Sequence, residues 1–321
     1  GARRDGPSAA GTTTWDEALN GPLAPPDLLG RELNNTYRII ARLAEGGMAS
    51  IFEAEHVRLA NKRYAVKVLH ANLSADHEAL VRFRREAQIA ASLHHQHIVE
   101  VLDYYQTHDG LPYIVMELLD GETLQARIDR AGPLPGAAAA MIMEQVASGV
   151  SAAHEAGIVH RDLKPENIFL VDQGSGGFVV KVLDFGISKM RFSTSVVTMQ
   201  NSLLGTSFYM SPEQARSAHH EVDHTTDVFA MGAITYQSLC GVRPFEAPTL
   251  PAVVYKVLHD EPPPLTTLAP HLPRELDAVL ARAMHKDKRR RHPSALEFVD
   301  ALRAAVLGGM STPGPAGGPA G

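Results

Sequence analysis

The run His160-Arg161-Asp162-Leu163-Lys164-Pro165-Glu166-Asn167, with Asp184-Phe185-Gly186 downstream, constrains this chain more than any other feature. It sets a carboxylate, an ammonium, a carboxamide and a second carboxylate in a fixed order. That donor set suits phosphoryl transfer. Asp162 can accept a hydroxyl proton, Lys164 can sit beside a transferring phosphate, and Asn167 with Asp184 can offer oxygens to a hard divalent cation. Any fold the chain adopts must bring residues 160–167 and 184 to one place.

The chain has 321 residues, 45% of them hydrophobic, which is enough for one large core or two lobes. Its net charge of -6 argues against nucleic acid or an anionic membrane as partner. A single cysteine, Cys240, excludes an internal disulfide framework and suits a reducing compartment. The expected location is therefore the cytoplasm, for this chain alone or as the cytoplasmic domain of a longer protein. No stretch approaches the roughly 20 apolar residues of a membrane helix. Arg3 and Arg4 have no apolar run behind them, so the N-terminus does not read as a secretory signal. Residues 1–33, rich in Gly, Pro, Ala and Thr, read as a disordered extension, and 308–321 as a Gly/Pro-rich linker.

Between these ends the pattern changes once. Residues 37–44, 50–57, 63–70, 98–105 and 113–118 read as strands, with Glu45-Gly46-Gly47 as a turn. Residues 77–93 have helical spacing, with Leu80, Phe83, Ala87 and Ala90 on one face. From Glu122 onward helices dominate: 135–157, stopped at Gly157, then near 224–240, 249–259, 274–285 and 294–306. Asp223 or Thr225, and Ser294, are the expected N-caps. Short strands at 168–171 and 179–183 flank a Gly-rich hairpin. The expected class is α+β, with a β-rich lobe at 34–119, a helical lobe at 120–307 and the long motif in the cleft between them.

These motifs, in this order, resemble the eukaryotic-like Ser/Thr protein kinases of bacteria over about residues 37–307. The resemblance implies a bilobal kinase fold and transfer of the γ-phosphate of ATP to protein hydroxyls, with Mg²⁺ or, in its place, Mn²⁺. It makes Asp162 the residue that orients the hydroxyl and takes its proton, and Lys164 the cation on the γ-phosphoryl group. Lys67 matches the strand lysine on the α- and β-phosphates, and Glu86 its helix partner. Asn167 and Asp184 become the metal ligands. The nucleotide loop spans Leu43, Ala44, Gly46, Gly47, Ala49 and Ile51. Met116 matches the gatekeeper, Glu117 and Leu119 the backbone contacts to adenine, and Ile51, Ala65 and Phe169 the apolar sandwich of the base.

The same resemblance assigns supporting roles. His160 and Phe185 pack beneath the catalytic loop, Asp227 supports that loop, and Glu213 pairs with Arg291. Arg161 can pair with a phosphate on the activation segment. Thr198 is the preferred regulatory site there, Ser202 the second, and Thr206 the threonine that braces Asp162 and Lys164. The implied partners are protein substrates and the chain itself, through autophosphorylation.

Three departures from the family pattern stand out. Alanines replace glycines at Ala44 and Ala49, Ser211 stands where the family has alanine, and Lys288 where it often has proline. An alanine costs about 1–2 kcal/mol wherever the loop needs positive φ. On those alanines alone rests the rival reading, a pseudokinase acting as a nucleotide-binding scaffold. A small-molecule kinase is a third reading, opposed by the substrate platform that 205–213 resembles. The histidine clusters at 94–97 and 219–224 lack cysteine support and a ligand spacing, so they do not read as zinc sites. The basic run 286–291 reads as a solvated face around Arg291.

Overall fold

The computed structural model describes residues 28–174, 176–185 and 207–309. Strands β1 (Glu32–Leu33), β2 (Tyr37–Glu45), β3 (Ala49–His56), β4 (Arg63–Leu69), β5 (Val101–Gln106) and β6 (Pro112–Glu117) form one antiparallel sheet in the order β1-β2-β3-β4-β6-β5. Helix α1 (His77–Ser92) packs on it. Its first turn is capped by Asp76, whose carboxylate accepts the N–H groups of Glu78 and Ala79 at 2.9 and 3.2 Å.

The period-2 alternation of β4 sorts its residues between two clusters. Val66 and Val68 pack with Phe52, Ala54, Tyr113 and Val115 on one face. Ala65 and Leu69 pack on the other with Phe83 and Ala87 of α1. Lys67 stands between Ala65 and Leu69, so alternation turns it toward α1. On the helix, Glu86 lies three residues after Phe83 and four before Ala90, both buried, and so belongs to the stripe that faces the sheet.

A smaller antiparallel sheet, β7 (Gly121–Thr123), β8 (Ile168–Asp172) and β9 (Phe178–Val182), caps the helical lobe. That lobe contains α2 (Leu124–Ala131), α3 (Gly136–Glu155), α4 (Pro212–Ala215), α5 (His224–Cys240), α6 (Leu250–His259), α7 (Leu265–Leu268), α8 (Glu275–Ala283) and α9 (Ala295–Gly309). Helix α5 is its axis, buried without interruption from Thr226 to Leu239. A helix apolar all round is stable only when packed on every side. Asp223, not Thr225, is its N-cap, accepting the Thr225 N–H at 2.9 Å. At its far end Gly241 takes φ 77°, a left-handed stop.

Three boundaries differ from the sequence reading. The folded body starts before residue 34, because Leu28 and Leu33 are buried in the β-lobe cluster. Helix α9 runs on to Gly309, past the expected linker start at 308. Residues 98 and 99 leave the expected strand to join the other lobe: Ile98 bridges Val182, and Val99 N–H donates to Val182 O at 3.0 Å. The lobes are thus stitched beside β9, directly upstream of Asp184.

Gly121, where β7 begins, has φ 149°, and a Cβ there would lie 2.0 Å from Leu170 O and 3.2 Å from Phe169 Cε1. Gly121→Ala is expected to lower stability by at least about 2 kcal/mol, through strain and overlap with a main-chain oxygen. A urea melt that matches the parent would contradict this packing.

Candidate active site

Lys67 reaches Glu86 Oε1 at 2.6 Å and Asp184 Oδ1 at 2.8 Å. Its environment is nearly dry, with 13% of the side chain exposed against 14% for Glu86. Burial alone would push the ammonium down, but the charges of Asp184 and Glu86 outweigh it and hold Lys67 well above the usual lysine range. Two carboxylates share this one cation. Burial pushes Glu86 up despite Lys67, with the charge of Asp184 adding to the effect. Asp184 goes the other way: burial opposes its charge, yet Lys67, helped by Lys164 and His160, holds it below the ordinary aspartate range. Asp184 is therefore ionised at neutral pH, and 41% of its side chain is open.

The catalytic loop is hung from α5. Asp227, 1% exposed, accepts the main-chain N–H of His160 through Oδ2 at 2.8 Å and that of Arg161 through Oδ1 at 2.9 Å. His154 Nε2 completes the set at 2.7 Å from Oδ2. His160 turns inward. Its Nδ1 accepts the Asp162 N–H at 3.2 Å, its Nε2 donates to Leu183 O at 2.9 Å, and its ring lies 4.7 Å from that of Phe185. Both ring nitrogens are thus used within the fold.

Arg161 and Asp184 adopt φ of 66° and 43°, a conformation unfavourable for residues with a Cβ. At Arg161 the surroundings enforce it. Its N–H is held by Asp227, and its carbonyl accepts Gln214 Nε2 at 2.7 Å. Asn167, buried in the short helical turn after Lys164, donates Nδ2 to Asp162 O at 2.9 Å, which leaves its carboxamide oxygen for a ligand. Lys164 Nζ lies 3.5 Å from Asp162 Oδ2. The oxygens of Asn167 and Asp184 fit a hard divalent cation such as Mg²⁺.

The nucleotide loop is the hairpin between β2 and β3. Its turn closes with Gly46 N–H donating to Ala49 O at 2.9 Å. Ala44 pairs with Ile51, and neither Ala44 nor Ala49 has positive φ. The alanines therefore carry no left-handed strain, and the argument for a pseudokinase loses its only support. Leu43 is 49% exposed at the rim. Ala65 and Met116 pair across β4 and β6 and share a cluster with Ile51 and Leu119. Phe169 stands apart from them in β8, half-buried and paired with Thr123.

Glu117, expected only as a main-chain contact, has a side-chain role as well. Its Oε1 accepts Lys181 Nζ at 2.6 Å and the Glu100 N–H at 2.7 Å, tying the strand after the gatekeeper to β9. Glu213 and Arg291 form a two-pronged pair, both contacts 2.8 Å, with Thr226 Oγ1 donating to the same carboxylate at 2.7 Å. Burial would raise Glu213, but Arg291 outweighs it and holds the carboxyl below its ordinary range. Lys288 replaces the family's proline with a tie of its own, donating to Asp223 Oδ2 at 2.8 Å. Thr198, Ser202 and Thr206 lie outside the described residues.

Sequence reasoning did not single out His154, Gln214 or Lys181. Only Gln214 left a local signal: Ser211 and Gln214 have capping-box spacing, and both reciprocal bonds form. The clustered histidines act locally among the described residues. His95 meets Ser148, His97 Nδ1 meets Val180 O, and His224 meets Pro293 O.

The model of the protein kinase domain matches residues 37–301. The chain belongs to the protein kinase family. This kinase domain is 38% identical over 283 residues to Serine/threonine-protein kinase pkn3 of Myxococcus xanthus, covering 87% of this chain and 51% of that protein. It is 37% identical over 269 residues to Serine/threonine-protein kinase PknB of Mycobacterium leprae, covering 83% of this chain and 42% of that one. The chain thus spans about half, or less, of these curated relatives' length. Among solved structures, the Mycobacterium tuberculosis PknI kinase domain matches with a TM-score of 0.65 and 30% identity, covering 86% of this chain and 98% of that one.

Glu213→Gln is expected to cost about 3–5 kcal/mol at neutral pH, because it leaves Arg291 buried without its counter-charge. The folded Glu213 titrates below its ordinary value of 4.5, so its contribution is complete above that pH and fades as pH falls through the folded value. The stability gap between parent and variant should narrow in acid. A gap that is constant down to acid pH would reject the ionised pair.

Proposed function

We propose that this domain is a Ser/Thr protein kinase that transfers the γ-phosphoryl group of ATP to protein hydroxyls, its own activation segment included. The observation that carries the reading is the convergence of Lys67, Glu86 and Asp184 in one ion cluster above an immobilised catalytic loop. Phosphoryl transfer depends mainly on alignment and charge neutralisation, and both favour a site whose charged groups are fixed beforehand.

Each residue then has one task. Lys67, kept protonated and oriented by Glu86, moves from Asp184 to the α- and β-phosphates. Asp184 and Asn167 hold Mg²⁺, or Mn²⁺, which would neutralise charge on the phosphates. Asp162 orients the acceptor hydroxyl and takes its proton. Lys164 stabilises charge on the γ-phosphoryl group. Ile51, Ala65, Met116 and Phe169 bound the adenine site, with main chain at Glu117 and Leu119 supplying hydrogen bonds. Arg161 receives a phosphate on Thr198 or Ser202, which would tie the activation segment to the loop.

The names of the relatives support the serine/threonine assignment, as does the Lys164 position. The proposed location is the cytoplasm, supported by the lone Cys240. Among the described residues, no helix is long and apolar enough to cross a membrane.

In a radiolabelled ATP assay with a basic acceptor protein, Asp162→Asn should lose transfer while retaining nucleotide binding, and Lys67→Met should also lose transfer. Turnover at the parent rate in either variant would reject its role. Mass spectrometry after incubation with MgATP should place phosphate on Thr198 or Ser202. Phosphate confined to tyrosine would contradict the hydroxyl specificity.

A further inference from the structure

Lys181 stands on β9, three residues before Asp184, and the transfer chemistry gives it no task. Its Nζ donates to Glu117 Oε1 at 2.6 Å and to Ile98 O at 3.3 Å. Glu117 Oε1 also accepts the Glu100 N–H at 2.7 Å, and the Glu117 N–H returns to Glu100 O at 3.0 Å. One carboxylate oxygen thus joins the end of β6, the loop at 98–100 and β9. An exposed ion pair fixes little, because its side chains are free to move. This pair is mostly withdrawn from water, with side chains 17% and 27% exposed, and a main-chain N–H holds its carboxylate. Its geometry is therefore set.

From Lys181 the register runs on to the cation end of the site. Lys181 pairs with Phe169, the floor of the proposed adenine site, across β8 and β9. Val182 N–H donates to His97 O at 2.8 Å, and Leu183 N–H donates to Asn167 O at 2.8 Å. Leu183 O is held by His160 Nε2 at 2.9 Å, and Asp184 follows. Bonded main chain therefore connects Lys181 to Asn167 and Asp184, the two oxygen donors. On its other side the Lys181 ammonium crosses directly to Glu117, where the main chain at 117–119 would receive adenine.

We infer that Lys181 is a positioning residue for the nucleotide: acting through Glu117, it sets the spacing between the adenine end of the site and the cation end. The inference rests on the adenine site proposed above. A nucleotide must meet both ends at once, and a site that already holds them at the right spacing loses less affinity to ordering. The phosphate end keeps its own anchors without Lys181, because Lys67 retains Glu86 and Asn167 retains Asp162 O. Loss of Lys181 therefore weakens adenine binding and spares the transfer step. A change of that kind raises KM and leaves kcat.

The test uses the whole chain, with adenosine affinity from calorimetry and kcat and KM for ATP from radiolabelled transfer to a basic acceptor protein. Lys181→Met should weaken adenosine at least about fivefold and raise KM for ATP by a similar factor, since a hydrogen bond to a charged group is commonly worth about tenfold or more. Its kcat should stay within about twofold of the parent. Lys181→Arg, which keeps a cationic donor, should recover most of the adenosine affinity. Glu117→Gln keeps an acceptor for the Glu100 N–H but loses the charge, and it carries the same test if Lys181→Met does not fold. With both substitutions combined, the second should add little, because the two residues act as one unit. The inference is overturned if Lys181→Met and Glu117→Gln bind adenosine like the parent, if kcat falls while KM is unchanged, or if the two losses multiply in the double variant. Those results, in a parent that binds adenosine and transfers phosphate, leave the kinase reading standing. A parent that binds no adenosine overturns the adenine site and this inference together.

Discussion

One ammonium held between two carboxylates organises this domain. Lys67 comes from the sheet, Glu86 from the helix packed on it, and Asp184 from the other lobe. No two of the three share an element, so the contact exists only when helix, sheet and lower lobe sit in register. Burial makes the arrangement consequential. A charge removed from water is costly unless it is matched, and a matched cluster with one member removed leaves an uncompensated charge. The three residues thus report on assembly of the site and also perform its chemistry.

The remaining anchors lead to α5. Asp227 in its first turn holds the catalytic loop by two main-chain N–H groups, and Thr226 beside it donates to Glu213. Arg291 closes on Glu213 and on Thr225 O, the latter at 3.1 Å. Catalytic loop, residues 211–213 and the turn before α9 therefore converge on one helix N-terminus. This explains how Arg161 can be kept at positive φ. The bonds on either side fix the peptide planes, and α5 itself is fixed by burial along almost its whole length.

Much of this was legible in the sequence, for physical reasons. The family resemblance already paired Lys67 with Glu86, and the alternation of 63–69 with the helical stripe of 77–92 gives that pairing its physical basis in the folded lobe. Asp223 was readable as a cap. What escaped depended on contacts distant along the chain. Ile98 and Val99 have the composition of a strand, but they find their partner at Val182 in the other lobe. Leu28 and Leu33 sit beside a Gly/Pro-rich stretch, and only the packed sheet shows that they are buried. The His154–Asp227 and Lys181–Glu117 contacts carry no local periodicity at all. The alanines of the nucleotide loop were ambiguous until the backbone angles assigned them to extended strand.

The most direct test is a crystal structure with Mg²⁺ and a non-hydrolysable ATP analogue. The account predicts that Lys67 keeps Glu86 but exchanges Asp184 for the α- and β-phosphates. The cation should then lie between Asn167 and Asp184, with the terminal phosphoryl group facing Asp162. A structure in which Lys67 stays on Asp184 while the triphosphate lies elsewhere, with no cation at Asn167, would contradict it.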